Sequence, residues 1–257
     1  MNFPRLGINI DHVATLRQLR HTPYPKIVDI AKRVELAGAH QITVHLREDR
    51  RHIQDQDVKD LRAQLVVPLN LEMAVTASMV KFAKKIIPDW ACFVPEKRQE
   101  LTTEGGLDVK KAIRNVAKAI EALKKDSIRV SLFIEPSLAT VKLSHKLGAD
   151  AVELHTGRFA ELTQMNSSPG LKKKIEAERK RVIEAATLAS ELGLHVHAGH
   201  GLDYENVRLL AFETRQGANP GLPLFEEFNI GHSIICRAVE VGIEQAVHEM
   251  ASAIQAP

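Results

Sequence analysis

A chain of 257 residues, 44% hydrophobic and 26% charged, has the composition of an ordinary folded protein able to bury a large core. A net charge of +3 provides no basic footprint for nucleic acid, and no stretch reaches the roughly 18 uninterrupted apolar residues of a membrane span. No charged region followed by an apolar core marks a secretory signal, so a cytoplasmic protein is expected.

In chain order, short apolar runs predict eight strands near 5–10, 41–45, 66–71, 89–94, 128–134, 150–154, 194–198 and 227–231. Between them lie segments with helical spacing. The first, 26–37, carries Ile27, Ile30, Ala31, Val34 and Ala37 on one stripe and ends at Gly38. The second, 75–87, has Thr76 as candidate N-cap and Pro88 beyond its end. Further helices are predicted over 108–123, 138–147, 172–192 and 234–254. Segment 17–25 reads as a long loop before the first helix, and 156–170 as a lid or a plain solvent loop.

Strand and helix alternating eight times predict an α/β protein. The expected fold is a single (β/α)8 TIM barrel forming one catalytic domain over 1–257. An open doubly wound sheet would gather its ligand residues at one switch point instead of on many strand ends. Aromatic residues are only 4%, so the core falls to Val, Ile, Leu and Ala, which suits a layered barrel interior. Cys92 and Cys236 belong to no CxxC motif and are expected as buried, reduced thiols. The basic runs 172–174 and 179–181 alternate with Glu176, Glu178 and Glu184, as on a solvated helix face.

Chemistry-bearing residues gather at the C-terminal ends of the predicted strands, the edge where such folds open to solvent. Asp11-His12 follows the first run, His45 and Arg47 the second, and Glu72 the third. Glu153 and His155 end the sixth, His200 follows the seventh, and His232 the eighth. Four residues on different strand ends, His45, Glu72, Glu153 and His200, are candidates for proton transfer. Arg47, Arg50, Arg51 and His52 read either as a phosphate clamp or as a loop salt-bridged by Glu48 and Asp49. Gly199-His200-Gly201 and Gly231-His232 suit a second anion site, with Ser233 as a candidate cap for the next helix. His195 and His197 share a strand face, and with His200 they invite a metal reading; the favoured expectation is no metal. Glu96-Lys97-Arg98 reads as a loop-anchoring ion pair in preference to a Schiff-base lysine.

The segments NIDHVATLR (9–17), ITVHLREDRRHIQDQDV (42–58), NLEMA (70–74), VPEKRQELTTEGGLDV (94–109), ELHTG (153–157), AGHGL (198–202) and NIGH (229–232) together resemble the pyridoxine 5′-phosphate synthase family. The resemblance implies a β/α barrel with additional helices, a homo-octamer, and no metal or organic cofactor. It implies condensation of 1-deoxy-D-xylulose 5-phosphate with 3-amino-2-oxopropyl phosphate to give pyridoxine 5′-phosphate, phosphate and water.

By the same resemblance Asn9, Asp11 and His12 are substrate ligands, and Arg20 reaches the amine-substrate phosphate. His45 and Glu72 are proton acceptors, Glu153 stabilises the transition state, and His200 donates a proton. Arg47, His52 and Thr102 hold the pentulose phosphate, while Gly201, Gly231 and His232 meet the amine substrate. His197 departs from the pattern, where an asparagine is expected, and 216–225 is longer than usual. Two other readings of the same residues are a phosphosugar aldolase or isomerase on this barrel and a non-catalytic phosphometabolite-binding regulator.

Overall fold

All eight apolar runs form strands. In the computed structural model, which describes residues 3–96, 105–212 and 221–255, they are β1 (Arg5–Asn9), β2 (Gln41–His45), β3 (Leu69–Met73), β4 (Trp90–Phe93), β5 (Arg129–Ile134), β6 (Ala151–His155), β7 (His195–Gly199) and β8 (Glu227–Ile230). Neighbours in sequence pair in parallel, and β8 returns to β1 to close the barrel. The register sets Asn9 beside Thr43, His45 beside Glu72, and Glu153 beside His197.

The helices are α1 (Asp11–Gln18), α2 (Ile27–Leu36), α3 (Asp55–Gln64), α4 (Ala77–Ile86), α5 (Ile113–Lys124), α6 (Leu138–Lys146), α7 (Gly157–Gln164), α8 (Leu171–Glu191), α9 (Asn206–Ala211), α10 (His232–Val241) and α11 (Ile243–Gln255). Their apolar stripes bury against the sheet: α2 covers Ile27, Ala31 and Val34, as its spacing predicts. Thr76 caps α4 by accepting from the Met79 N–H. The basic runs lie on α8, where Arg179 pairs with Glu176 and Arg181 with Glu178.

Several expectations need correction. β3 starts at Leu69 instead of 66, because Pro68 has no N–H for the ladder; the Val66 and Val67 N–H groups donate instead to Glu35. Segment 17–25 is not all loop, since α1 begins at Asp11 and runs to Gln18. α7 occupies much of the stretch expected as a loop over 156–170. The helix expected over 234–254 is two helices, broken where Gly242 adopts φ +87°. α3 has few apolar residues to reveal it, and a reciprocal cap between Gln54 and Asp57 starts it. Cys236 is exposed, although Cys92 is buried as expected.

The largest correction concerns the barrel interior. Side-chain bonds between strands that are not neighbours cross the inside of the barrel. Gln41 Nε2 donates to Glu227 Oε1 at 2.6 Å, and Asn229 Nδ2 donates to Glu153 Oε2 at 2.8 Å. Cys92 Sγ lies 3.9 Å from the same Glu153 oxygen. The interior is therefore polar. The buried aliphatic residues Leu6, Ile8, Ile42, Val44, Leu132 and Val152 alternate with these positions and face the helices.

Candidate active site

The C-terminal mouth of the barrel holds a cavity of about 670 Å³ lined by Asn9, His45, Glu72, Glu153, His200 and His232, among others. That volume suits small metabolites. Parallel pairing accounts for the convergence: every strand ends on the same side, so residues far apart in sequence meet there.

On one side stand Asp11, His45 and Glu72, each offering a ligand atom within 4.8 Å of the others. The Asp11 backbone N–H donates to Asn9 Oδ1 at 2.9 Å, and Asp11 Oδ1 accepts the His45 backbone N–H at 2.8 Å. These bonds lock the start of α1 onto the end of β2. Burial raises the Asp11 pKa to about 6, with the His45 backbone bond, the His45 charge and Asn9 opposing it. Burial also holds Glu72 well above the ordinary carboxylate value, and the charges of Glu153 and Asp11 add to the effect. Glu153 is pushed up to about 7, again by burial, although its bond from Asn229 favours ionisation. Asp11 and Glu153 so placed can hold and release protons near neutrality, and Glu72 keeps its proton to higher pH than an ordinary carboxyl group.

His200 lies across the mouth, in a left-handed backbone conformation of φ +79° that a non-glycine residue adopts only under local constraint. Thr156 supplies that constraint by donating to the Gly199 and His200 carbonyls at 2.7 and 2.8 Å. Burial lowers the His200 pKa, and the charge of His155 lowers it further. Gly199 must be glycine, because a Cβ there would stand 2.5 Å from Glu153 Oε1.

The loop after β2 divides its cations. Arg50 is held by Asp55 and by the Arg47 carbonyl, both at 2.6 Å, and Arg51 by Asp49 at 2.7 Å. Arg47 reaches Asp49 only at 3.3 and 3.4 Å and lines the cavity. The salt-bridged-loop reading therefore holds for Arg50 and Arg51, while Arg47 is the arginine of this segment that faces the cavity. His52 is no cation: burial pushes its pKa down to about 4, with the charges of His45 and Arg47 assisting. Its Nδ1 accepts the Ile53 N–H at 2.8 Å, leaving Nε2–H as a donor. Arg17 braces this loop with paired bonds of 2.6 and 2.7 Å to Asp57 and a third to the His52 carbonyl.

A family model described as "Pyridoxal phosphate biosynthesis protein PdxJ" matches residues 6–256. The chain belongs to the PdxJ family. Its curated relatives include the "Pyridoxine 5'-phosphate synthase" of Bdellovibrio bacteriovorus, 53% identical over 96% of each chain. Another of that name, from Geobacter metallireducens, is 50% identical over 98% of each. Among solved structures, the 3-keto-L-gulonate-6-phosphate decarboxylase from Vibrio cholerae superposes with a TM-score of 0.62 over 98% of each chain. At 15% identity that likeness is one of fold alone.

Within this PdxJ barrel, most of the sequence-predicted residues meet at the mouth. Gly201 and Gly231 line the cavity, and the His12 and His232 rings stand edge to face at 5.1 Å. Gly231 itself precedes α10 as its cap residue, whereas Ser233 donates to the Leu202 carbonyl at 2.8 Å and caps nothing. Arg20 is exposed just beyond α1, outside the cavity lining. Thr102 and Lys97 lie outside the described residues.

His195, His197 and His200 do not form a ligand set. His195 pairs with Glu226 at 2.8 Å, and His197 is buried against Trp90, its pKa pushed down to about 3 chiefly by burial. Sequence reasoning missed three participants. Glu96 bonds the His45 ring, while Glu135 bonds His155, whose ring packs 4.8 Å from that of His200. The position of His155 at a strand end hinted at one of them and the reading of Glu96 as a loop-anchoring ion pair at another, but neither signal named the ring it serves; nothing pointed to Glu135.

Proposed function

We propose that this protein is a pyridoxine 5′-phosphate synthase that joins 1-deoxy-D-xylulose 5-phosphate to 3-amino-2-oxopropyl phosphate, releasing phosphate and water. The observation that carries the reading is the convergence of Glu72 and Glu153, two carboxyl groups whose proton affinity is raised above the ordinary value, with His45 and His200 around one cavity. Condensation, dehydration and ring closure demand repeated proton transfers, and this set supplies acids and bases on both sides of a bound substrate.

His45 and Glu72 act as proton acceptors, His200 as the donor, and ionised Glu153 stabilises positive charge in the transition state. Arg47 binds the pentulose phosphate as a cation, with His52 as a neutral donor and Thr102 as a third contact. Gly201, Gly231 and His232 meet the amine substrate, Asn9, Asp11 and His12 orient the reacting carbons, and Arg20 reaches the amine-substrate phosphate. The amine supplies the nucleophilic nitrogen, so the enzyme contributes no covalent nucleophile.

The reaction runs without metal or organic cofactor, in a homo-octamer, in the cytoplasm. No described helix is long and apolar enough to cross a membrane. The Asp11–His45–Glu72 trio has ligand-like spacing, but Asp11 already accepts from the His45 backbone and Glu96 occupies a nitrogen of the His45 ring. One assay tests the proposal: purified protein and both substrates in excess EDTA, with the product followed by mass. Formation of pyridoxine 5′-phosphate supports it. No product under those conditions, with activity restored by a divalent ion, overturns the metal-free mechanism. No product with or without metal overturns the assignment.

A further inference from the structure

Glu96 stands at the end of the described segment after β4, with its side chain only 3% exposed. Its two oxygens are used differently. Oε2 accepts the Glu48 backbone N–H at 2.9 Å, while Oε1 lies 3.2 Å from His45 Nε2. Burial alone would raise its proton affinity, but the His45 ring, the Glu48 N–H and Arg47 outweigh burial and hold it below the ordinary carboxylate value. An ionised carboxylate only accepts hydrogen bonds, so the nitrogen facing it must carry the proton. The His45 ring lines the cavity, and among the described residues its Nδ1 has no hydrogen-bond partner.

From this geometry we infer that Glu96 is the positioning residue of His45, fixing the Nε2–H tautomer so that the base works through Nδ1. The inference rests on the proposed role of His45 as proton acceptor. The substrate proton transfers to Nδ1, and the bond pair it leaves stays on the substrate carbon or nitrogen. Nε2–H remains on Glu96, whose charge neutralises the imidazolium that forms. A buried carboxylate behind an imidazole performs the same service in serine hydrolase triads, with the two ring nitrogens exchanged.

The bland alternative is that Glu96 only anchors the loop through the Glu48 N–H. Two substitutions separate the readings. Glu96→Gln keeps an oxygen for that N–H but turns an amide donor toward Nε2, which forces the proton onto Nδ1 and removes the base. Glu96→Ala loses the anchor and leaves the tautomer free. The tautomer role therefore makes glutamine the worse replacement, and the anchoring role makes alanine the worse.

The expected result is a roughly 10²–10⁴-fold loss of kcat in Glu96→Gln, with KM for both substrates within about threefold. Glu96→Ala should retain at least about tenfold more kcat than Glu96→Gln. Imidazole nitrogen NMR, with His45 assigned by its absence in His45→Gln, should place the proton on Nε2 in the wild type and on Nδ1 in Glu96→Gln. Wild-type kcat in Glu96→Gln, a greater loss in Glu96→Ala, or an Nδ1 proton in the wild type overturns the inference. His45→Gln tests the underlying reading by itself: if that variant keeps full activity, the base assignment falls, whatever Glu96 does.

Discussion

The Asn229 amide donates to Glu153 at 2.8 Å across the barrel interior, and it is the strongest force favouring a charge on that buried carboxyl. Burial nevertheless lifts the Glu153 pKa to about 7. A hydrogen bond to a charged group contributes about 1.5–3 kcal/mol, equivalent to about one or two pH units of titration. Asn229→Ala should therefore move the acid limb of the kcat profile upward by about one unit or more. A limb that stays in place would remove Glu153 from the group of residues that must ionise.

Glu72→Gln keeps the shape of the side chain and deletes the base. Turnover should fall by roughly 10²–10⁴-fold while circular dichroism stays unchanged. A near-normal kcat would contradict the role given to Glu72.

Arg47 faces the cavity with only long contacts to Asp49, so its guanidinium has hydrogen bonds to spare for a ligand. Arg47→Ala should raise KM for the pentulose phosphate about ten- to hundredfold, the consequence of losing about 1.5–3 kcal/mol of uniform binding. The measurement is made with the amine substrate saturating, and an unchanged KM there would move the phosphate elsewhere.

Glu227 gives a pH dependence of stability far from the mouth. Burial raises its pKa from 4.5 to about 7, against the opposing charge and bond of Arg5. The folded state thus holds a proton that the unfolded state releases. Its contribution to stability is full below pH 4.5, declines as pH rises toward 7, and is then constant. Glu227→Gln should remove that decline, gaining up to about 3 kcal/mol over wild type above pH 7 in urea titrations. An equal difference between the two proteins at pH 4 and pH 8 would show that Glu227 titrates normally.

Arg20 is predicted to serve the site of a neighbouring subunit. α1 occupies eight of the residues that separate it from the barrel mouth, and at 1.5 Å per residue the helix carries the chain about 12 Å away. Arg20 ends exposed and outside its own cavity lining. Mixing inactive Arg20→Ala subunits with inactive Glu72→Gln subunits should restore part of the activity through sites intact in the hybrids. Verified hybrids that stay inactive would place Arg20 in its own subunit's site.

The sequence by itself determined the strand count, the closed α/β class and most of the mouth. Parallel strands read as apolar runs, and their C-terminal ends must share one edge, so Asp11, His45, Glu72, Glu153 and His200 could be gathered without coordinates. Local signals also sufficed where physics is local, as at the Thr76 cap and the stripe of α2. The tertiary structure alone decided the rest. Gln41, Cys92, Glu227 and Asn229 turn inward because alternation and closure leave their strands no other face for them. A buried polar side chain is tolerable there only when a partner from a distant strand arrives, and sequence distance conceals such partners. The same holds for Glu96 and His45, 51 positions apart: their contact depends on barrel register, and neither local propensity nor motif spacing encodes it.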